Sequence, residues 1–334
     1  MLRIHFTSDD LARIRMVPTP DPLWEVLLSS YRLRHPSGAV YFGDWRRTVT
    51  TRLAPSAHLL AALAPPTGYA VDFLTPAGAG PSLAAGMETL RRTPRTRLRN
   101  DLQELHDRHP GRPLPAWTRG LAEGAPGAVS AVSDAVTAYF AAALEPVWPQ
   151  VRRQVERDRE WRTRDIDATG WEGVLAALHP SATWHYPVLE LAFPADHDVH
   201  LDGRGLTLQP SFFCWGAPTT FLDTGLPPVL VYPVERSLDW LASPHTPRQQ
   251  AVAALLGKTR ARVLEVVATA ACTTTQLAER AHVPIQTASH QAAVLREANL
   301  IRSRRHRNTV IHTVTALGMA LLHDECGPPP FLMP

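Results

Sequence analysis

Lysine is almost absent from this chain. Of its 34 basic residues only Lys258 is a lysine and the rest are arginines, the residue choice of a GC-rich coding sequence. Cysteine is scarce too. Cys214, Cys272 and Cys326 are odd in number, far apart and without Cys-x-x-Cys spacing, which argues against a disulfide scaffold and fits a reducing compartment. No apolar run approaches the roughly 20 residues of a membrane span. The opening Met1-Leu2-Arg3-Ile4-His5-Phe6 lacks the apolar centre of a signal peptide. A soluble, cytoplasmic protein with no membrane partner is the expectation. Also missing are His-Glu-x-x-His, Gly-x-Ser-x-Gly, a phosphate-cradling glycine loop and a dinucleotide fingerprint. No catalytic residue and no cofactor is expected, and the chain does not read as an enzyme.

What is present is a large apolar fraction, 45% of 334 residues, enough for a sizeable core and about two domains. The 31 prolines and 19 glycines imply many breaks between elements. Net charge is only +3, but it is unevenly spread. Residues 246–314 carry ten Lys or Arg against three acids, a balance of +7, which leaves 24 against 28, or −4, elsewhere. A basic module joined to a mildly acidic body is the charge footprint of a nucleic-acid-binding domain beside a partner domain.

Periodicity gives the coarse organisation: a mainly helical α+β fold. Thr7 or Ser8 caps a helix through Leu11 and Ile14, and Asp21-Pro22 opens another with Leu23, Trp24, Leu27, Leu28 and Tyr31 on one face. Residues 53–63 and 83–109 read as helices. A long one runs from Ala128 to about Arg164, kinked near Pro146 and Pro149, and Trp171 to Leu178 is a last short one. Residues 183–186, 188–193, 205–215 and 228–232 are rich in β-branched and aromatic residues and bounded by Gly, Pro and Asp, so they read as the strands of a small antiparallel sheet. Pro244 and Pro247 mark a junction, followed by helices over 248–256, 258–269, 274–281 and 285–298. The expected domains are a body, 1–245, helical to 180 and strand-rich over 181–245, and a module at 246–326.

The module constrains function most. Two short helices joined by a tight connection precede the basic run Arg302-Ser303-Arg304-Arg305-His306-Arg307 and the return strand Thr309 to Val314, the layout of a helix-turn-helix with a basic wing. In the second helix Ala288, Ala292 and Leu295 recur at spacings of four and three and face inward, with Ile285 and Val294 flanking them. Gln286, Thr287, Ser289 and His290 are left outward near the helix start, where a recognition helix meets base edges. Arg302, Arg304, Arg305 and Arg307 suit phosphates or a minor groove, and Asn308 suits the turn between the strands.

Leu277-Ala278-Glu279-Arg280, followed by Leu295-Arg296-Glu297-Ala298-Asn299-Leu300-Ile301, resembles the winged-helix domain of ArsR-type bacterial repressors over about residues 247–323. The resemblance implies a homodimer on an inverted-repeat operator in double-stranded DNA, with repression released by an effector. It gives the contact role to Gln286, Thr287, Ser289 and His290 and the wing role to the arginines at 302–307. Two positions depart from the family pattern: Gln291 replaces a common His, and Asn299 replaces the usual Gly before the wing. Phe6-Thr7, Asp10 to Arg13, Pro20 to Glu25, Gly203 to Leu206, Gln209 to Ser211 and Leu230 to Pro233 resemble the long N-terminal region of actinobacterial ArsR-like regulators, from which no shared chemistry follows.

Other sites have weaker signals. The first helix of the module has Thr273-Thr274-Thr275 with only Cys272 nearby, where metal-sensing relatives carry a Cys-x-Cys pair; adjacent His323 and Asp324 point different ways on a helix. In the run 196–202, Asp198, His200 and Asp202 alternate as on one side of a strand and offer a metal-responsive alternative, but a polar turn between two strands is the main reading and no metal site is assigned. His106 and His109 lie on a charged helix. Trp184, Tyr186, Phe212, Phe213, Trp215 and Tyr232 are candidates for a small-molecule effector pocket or for the core of the sheet. An enzyme with an accessory DNA-binding domain is the alternative from a different class.

Overall fold

The computed structural model describes residues 1–78, 80–236, 240–241, 252, 255–269, 271–306 and 309–322. Residue contacts divide the chain into two units, Met1–Leu241 and Ala242–Pro334. Pro244, Pro247 and most of 248–256, read above as a junction and a helix, lie outside the described residues. Helices predominate throughout, and the fold is mainly helical α+β.

The first unit starts with a strand, β1 (Leu2–His5), followed by α1 (Ser8–Leu11), β2 (Arg15–Met16), α2 (Pro22–Arg34), α3 (Ala39–Thr50) and α4 (Ala57–Leu63). α1 is shorter than its spacing suggests and is held at its start by the Asp10 carboxylate, which accepts from the backbone and hydroxyl of Thr7. α2 opens as expected: Asp21 accepts from the N–H groups of Leu23 and Trp24, with Pro22 in the first turn. α3 has no clear sequence signal, since Gly38 and Gly43 interrupt its pattern. Packing makes it: Phe42, Trp45 and Val49 are buried, Trp45 Nε1 donates to Ala143 O, and the Phe42 ring stacks on Phe213 at 5.4 Å.

Next come α5 (Leu83–Arg91), α6 (Arg95–Arg108), α7 (Thr118–Ala122), α8 (Pro126–Ala143) and α9 (Trp148–Ala176). The single helix expected over 83–109 is two, because Pro94 cannot continue a helix from the preceding turn. α8 and the helical stretch after it are bent by 41° at their break, and α9 is itself interrupted at Gly170, φ +69°. No single described helix is long and apolar enough to cross a membrane. α8 buries Val132, Val136 and Tyr139 in the core of this unit.

The strands β3 (Thr183–His185), β4 (Val188–Leu191), β5 (His197–His200), β6 (Thr207–Ser211) and β7 (Val229–Pro233) complete the unit. They do not make the expected antiparallel sheet. One sheet has the order β3-β4-β1-β5, with β1 antiparallel to β4 and parallel to β5; the other, β2-β6-β7, is parallel throughout. Each sheet thus takes in a strand from the first 16 residues, and a stretch expected to be helical supplies one interior strand. The alternation was legible in retrospect: Leu2, Ile4 and Phe6 are buried while Arg3 and His5 are half-exposed. Its partners, nearly 190 residues away, were not. The close approach of Gly205 illustrates the fit between these ends. It has φ +71°, its N–H donates to Asp10, and a Cβ there would lie 2.5 Å from Arg13 O.

The second unit contains α10 (Lys258–Thr269), β8 (Cys272–Thr273), α11 (Thr274–Ala281), α12 (Ile285–Glu297), β9 (Ile301–His306), β10 (Thr309–Val314) and α13 (Ala316–Leu322). Its antiparallel sheet has the order β8-β10-β9, and its own core joins Val263, Leu264, Leu277, Ala288, Leu295 and Ile301. α13 lies so close to the chain before β9 that a Cβ on Gly318 would meet Leu300 O at 2.1 Å.

In the body, Glu25 of α2 is fully buried and receives the N–H groups of Phe212 (2.7 Å) and Phe213 (2.9 Å), one on each oxygen. Burial pushes its carboxyl up to about 7 against those two donors and Arg236. The folded chain therefore holds the Glu25 proton more tightly than the unfolded chain, whose ordinary value is 4.5. The contribution of Glu25 to stability is greatest below that value and is lost as pH rises to about 7. Glu25→Gln is expected to flatten this slope and to cost about 1–3 kcal/mol, because its amide sets N–H against N–H. Urea unfolding at about pH 4.5 and about pH 7.5 measures both; an unaltered slope in the variant removes Glu25 as the responsible group.

Candidate nucleic-acid interface

Local chemistry starts each helix of the pair. Thr273 caps α11: its hydroxyl accepts from Gln276 N (3.3 Å) while Gln276 Oε1 accepts from Thr273 N (3.0 Å), a reciprocal pair that satisfies two otherwise unpartnered donors. α11 ends at His282, which takes the left-handed conformation (φ +53°), and Pro284 precedes α12. Small side chains let the helices approach. Ala278 and Ala281 of α11 and Ala288 and Ala292 of α12 are buried, and Leu295 is fully so. Gln291 is engaged internally, its Oε1 accepting from Arg260 Nε of α10 at 3.0 Å.

That packing fixes the other face of α12. Gln286, Ser289 and His290 are exposed and Thr287 is half-buried, so the four predicted contact residues stand together on the leading turns. Ile285, expected to flank the core stripe, is instead 51% exposed beside them. As the first residue of the helix it lies past the edge of the packed face, which spacing alone does not reveal.

The β9–β10 pairing sets Arg302 opposite Thr313, Arg304 opposite Ile311 and Arg305 opposite Val310. By the two-residue period, Arg302 and Arg304 share one face and Arg305 takes the other. All three are exposed, and none of the three forms an ion pair among the described residues. Unpaired guanidinium groups along a hairpin leave a cationic edge suited to a polyanion. Arg307 and Asn308, read as part of the same edge, lie outside the described residues, as do His323, Asp324 and Cys326. Asn299, before β9, has φ +57°, a conformation that Asn tolerates better than most residues.

No protein-family model matches the chain, and neither a curated protein nor a solved structure shows significant similarity to it.

The other candidate sites fare differently. Asp198 is held by Arg3 through two hydrogen bonds (2.9 and 3.0 Å) and by His5 Nε2 (2.8 Å), and these partners keep its carboxyl well below the usual carboxylate range. His200 stacks on His5, ring centroids 4.3 Å apart, and Asp202 sits in a turn with φ +51°. The run is part strand and part turn. Among the described residues no three His, Cys, Asp or Glu side chains are grouped to hold a metal ion. The His109 ring faces the carbonyl oxygens of Leu105 and Thr67.

The six strand-region aromatics do not form one pocket. Phe212, Phe213 and Tyr232 are fully buried in the core, and Tyr232 donates to Asp158 at 3.0 Å. Trp184 packs edge-on against Phe6 and donates to Glu172, while Tyr186 is 56% exposed. Trp215 lines a substantial cavity. Phe212, Phe213 and Trp215 gather around the Phe42 ring, with centroids 6.0, 5.4 and 5.6 Å from it, as core packing.

One residue gained significance only from the structure. His312 is buried in β10, with Nε2 3.0 Å from Thr274 Oγ1 and Nδ1 2.8 Å from Ser303 Oγ, so it ties the hairpin to the start of α11. Burial, then the charge of Arg296, lowers its pKa from 6.5. The folded unit therefore resists protonation there, and the contribution of His312 to stability is retained above 6.5 and lost as pH falls through the lowered value. Thermal midpoints at about pH 7.5 and about pH 5.5 are expected to differ less in His312→Asn than in the parent chain. An equal difference would assign the acid sensitivity elsewhere.

Proposed function

We propose that the chain is an ArsR-like transcriptional regulator that acts in the cytoplasm, whose C-terminal winged helix-turn-helix binds double-stranded DNA as a homodimer. One observation carries this reading. α12 buries Ala288, Ala292 and Leu295 and keeps Gln286, Ser289 and His290 exposed, with Arg302, Arg304 and Arg305 of the β9–β10 hairpin also solvent-exposed. In the proposed mode α12 lies in the major groove. Gln286 pairs with adenine, Ser289 and Thr287 serve a base or a phosphate, and His290 borders them. The exposed Ile285 suits the methyl group of thymine. The hairpin is the wing, and its arginines meet phosphates or enter the minor groove.

A dimer places two such helices on an inverted-repeat operator whose half-sites lie about one helical turn, or a multiple, apart. The N-terminal body serves dimerisation, ligand sensing or both, and the reading gives the chain no catalytic role. As a repressor it is released by an effector that binds the DNA-incompetent state better than the DNA-bound one, since equal affinity shifts nothing.

Two variants test the division of labour. Gln286→Ala is expected to relax preference at one base position, costing about 1–3 kcal/mol on the selected site and little on random duplex. Arg304→Ala with Arg305→Ala is expected to weaken all duplexes alike and to reduce the salt slope by about two. Sites selected from a random duplex pool, followed by titration at several salt concentrations, provide the measurement. The same uniform loss from both changes would contradict base reading by α12.

A further inference from the structure

The apolar face of α2 does not end in the core. Trp24, Leu27, Leu28 and Tyr31, spaced three and four apart, line a cavity of about 330 Å³ within the first unit. Tyr69, Phe193 and Trp215 supply further aromatic wall. A concave, largely apolar site of this size with a few polar groups is the usual form of a small-molecule site.

The polar groups of the lining indicate what it takes. Its charged members are already engaged. Asp72 accepts from the N–H groups of Leu222 and Asp223 and lies 3.7 Å from Arg97, and Arg108 pairs with Glu104. His197 Nε2 is 3.1 Å from Phe221 O. The hydroxyls of Tyr31 and Thr219 make no hydrogen bond among the described residues. Tyr69 Oη accepts from Asp72 N at 3.4 Å and retains its own proton for donation. Burial raises the pKa of both tyrosines, so they remain neutral O–H donors. Rigid aromatic walls with neutral donors, and no free charge, match a flat uncharged molecule that bears acceptor oxygens.

We propose that this cavity is a binding site for a neutral, planar aromatic small molecule carrying a carbonyl-type hydrogen-bond acceptor, held by Tyr31 and Thr219. That such a molecule is the effector rests on the regulator reading; that it binds does not.

The probe is Prodan, a neutral naphthalene fluorophore bearing a ketone, titrated against the full chain, with 1-phenylnaphthylamine as an aromatic lacking a carbonyl. Saturable Prodan binding is expected, with amide-exchange protection over residues 68–75 and 215–222. The double variant Tyr31→Phe with Thr219→Val removes the two hydroxyls while keeping the shape of each side chain. It is expected to bind Prodan about tenfold more weakly and 1-phenylnaphthylamine within about twofold of the parent, at an unaltered thermal midpoint. Absence of saturable binding, protection elsewhere, or equal Prodan affinity in the variant overturns the proposal, as does an equal weakening of both probes. A chain that holds Prodan here but binds no duplex sinks the regulator reading and leaves this site standing; duplex binding without Prodan binding does the reverse.

Discussion

The body depends on buried carboxylates that satisfy buried loop backbone. Asp10 receives Gly205 N, Glu25 receives Phe212 N and Phe213 N, Asp72 receives Leu222 N and Asp223 N, and Asp101 receives Phe73 N. Three of these four acids join the first 72 residues to the segment 205–223. A buried N–H without a partner costs about 1–3 kcal/mol, and irregular chain has no ladder to supply one. Side chains on rigid helices supply it instead. The cost is the desolvation of the carboxylates, seen in the raised pKa of Glu25, Asp72 and Asp101, and it is offset by charge-assisted hydrogen bonds.

The same arrangement positions the cavity. Asp72 anchors the chain at Leu222 and Asp223, Trp24 packs against Phe221 at 5.3 Å, and Trp215 packs against Tyr41 and Phe42. The walls are thus set by contacts between the first third of the body and its last strands. The second unit follows a simpler rule. Its core is built from small and branched residues at helical spacing, and what those residues bury decides what is left to face solvent: the polar start of α12 and the arginines of the hairpin.

Legibility from sequence differed accordingly. The module's elements are local: Thr273 caps its own helix, the Ala288/Ala292/Leu295 stripe faces inward by period, and β9 and β10 pair through a two-residue connection. Both the polar outer face of α12 and the hairpin were therefore visible in the pattern, although the split of Arg302 and Arg304 from Arg305, the exposure of Ile285 and the role of His312 were not. In the body the helix at Pro22 and the helical stretch from Ala128, with its break near Pro146, were legible because proline and apolar spacing act locally, although the second helix runs to Ala176 and takes in most of the short one expected from Trp171. α3 was not, since its stability comes from Phe42 and Trp45 packing against distant residues, and the break at Pro94 was passed over.

The chain's order of residues alone determined the basic module, its polar and apolar helix faces and the apolar stripe of α2, because each follows from spacing within one element. Only the tertiary structure decided that β1 is an interior strand, that the body's sheets are mixed and parallel, that Asp198 is spent on Arg3, and that the α2 stripe borders a cavity lined by Trp215 while Phe212, Phe213 and Tyr232 do not. Those outcomes depend on partners up to 195 residues away, and strand pairing carries no local mark of which partner it will find.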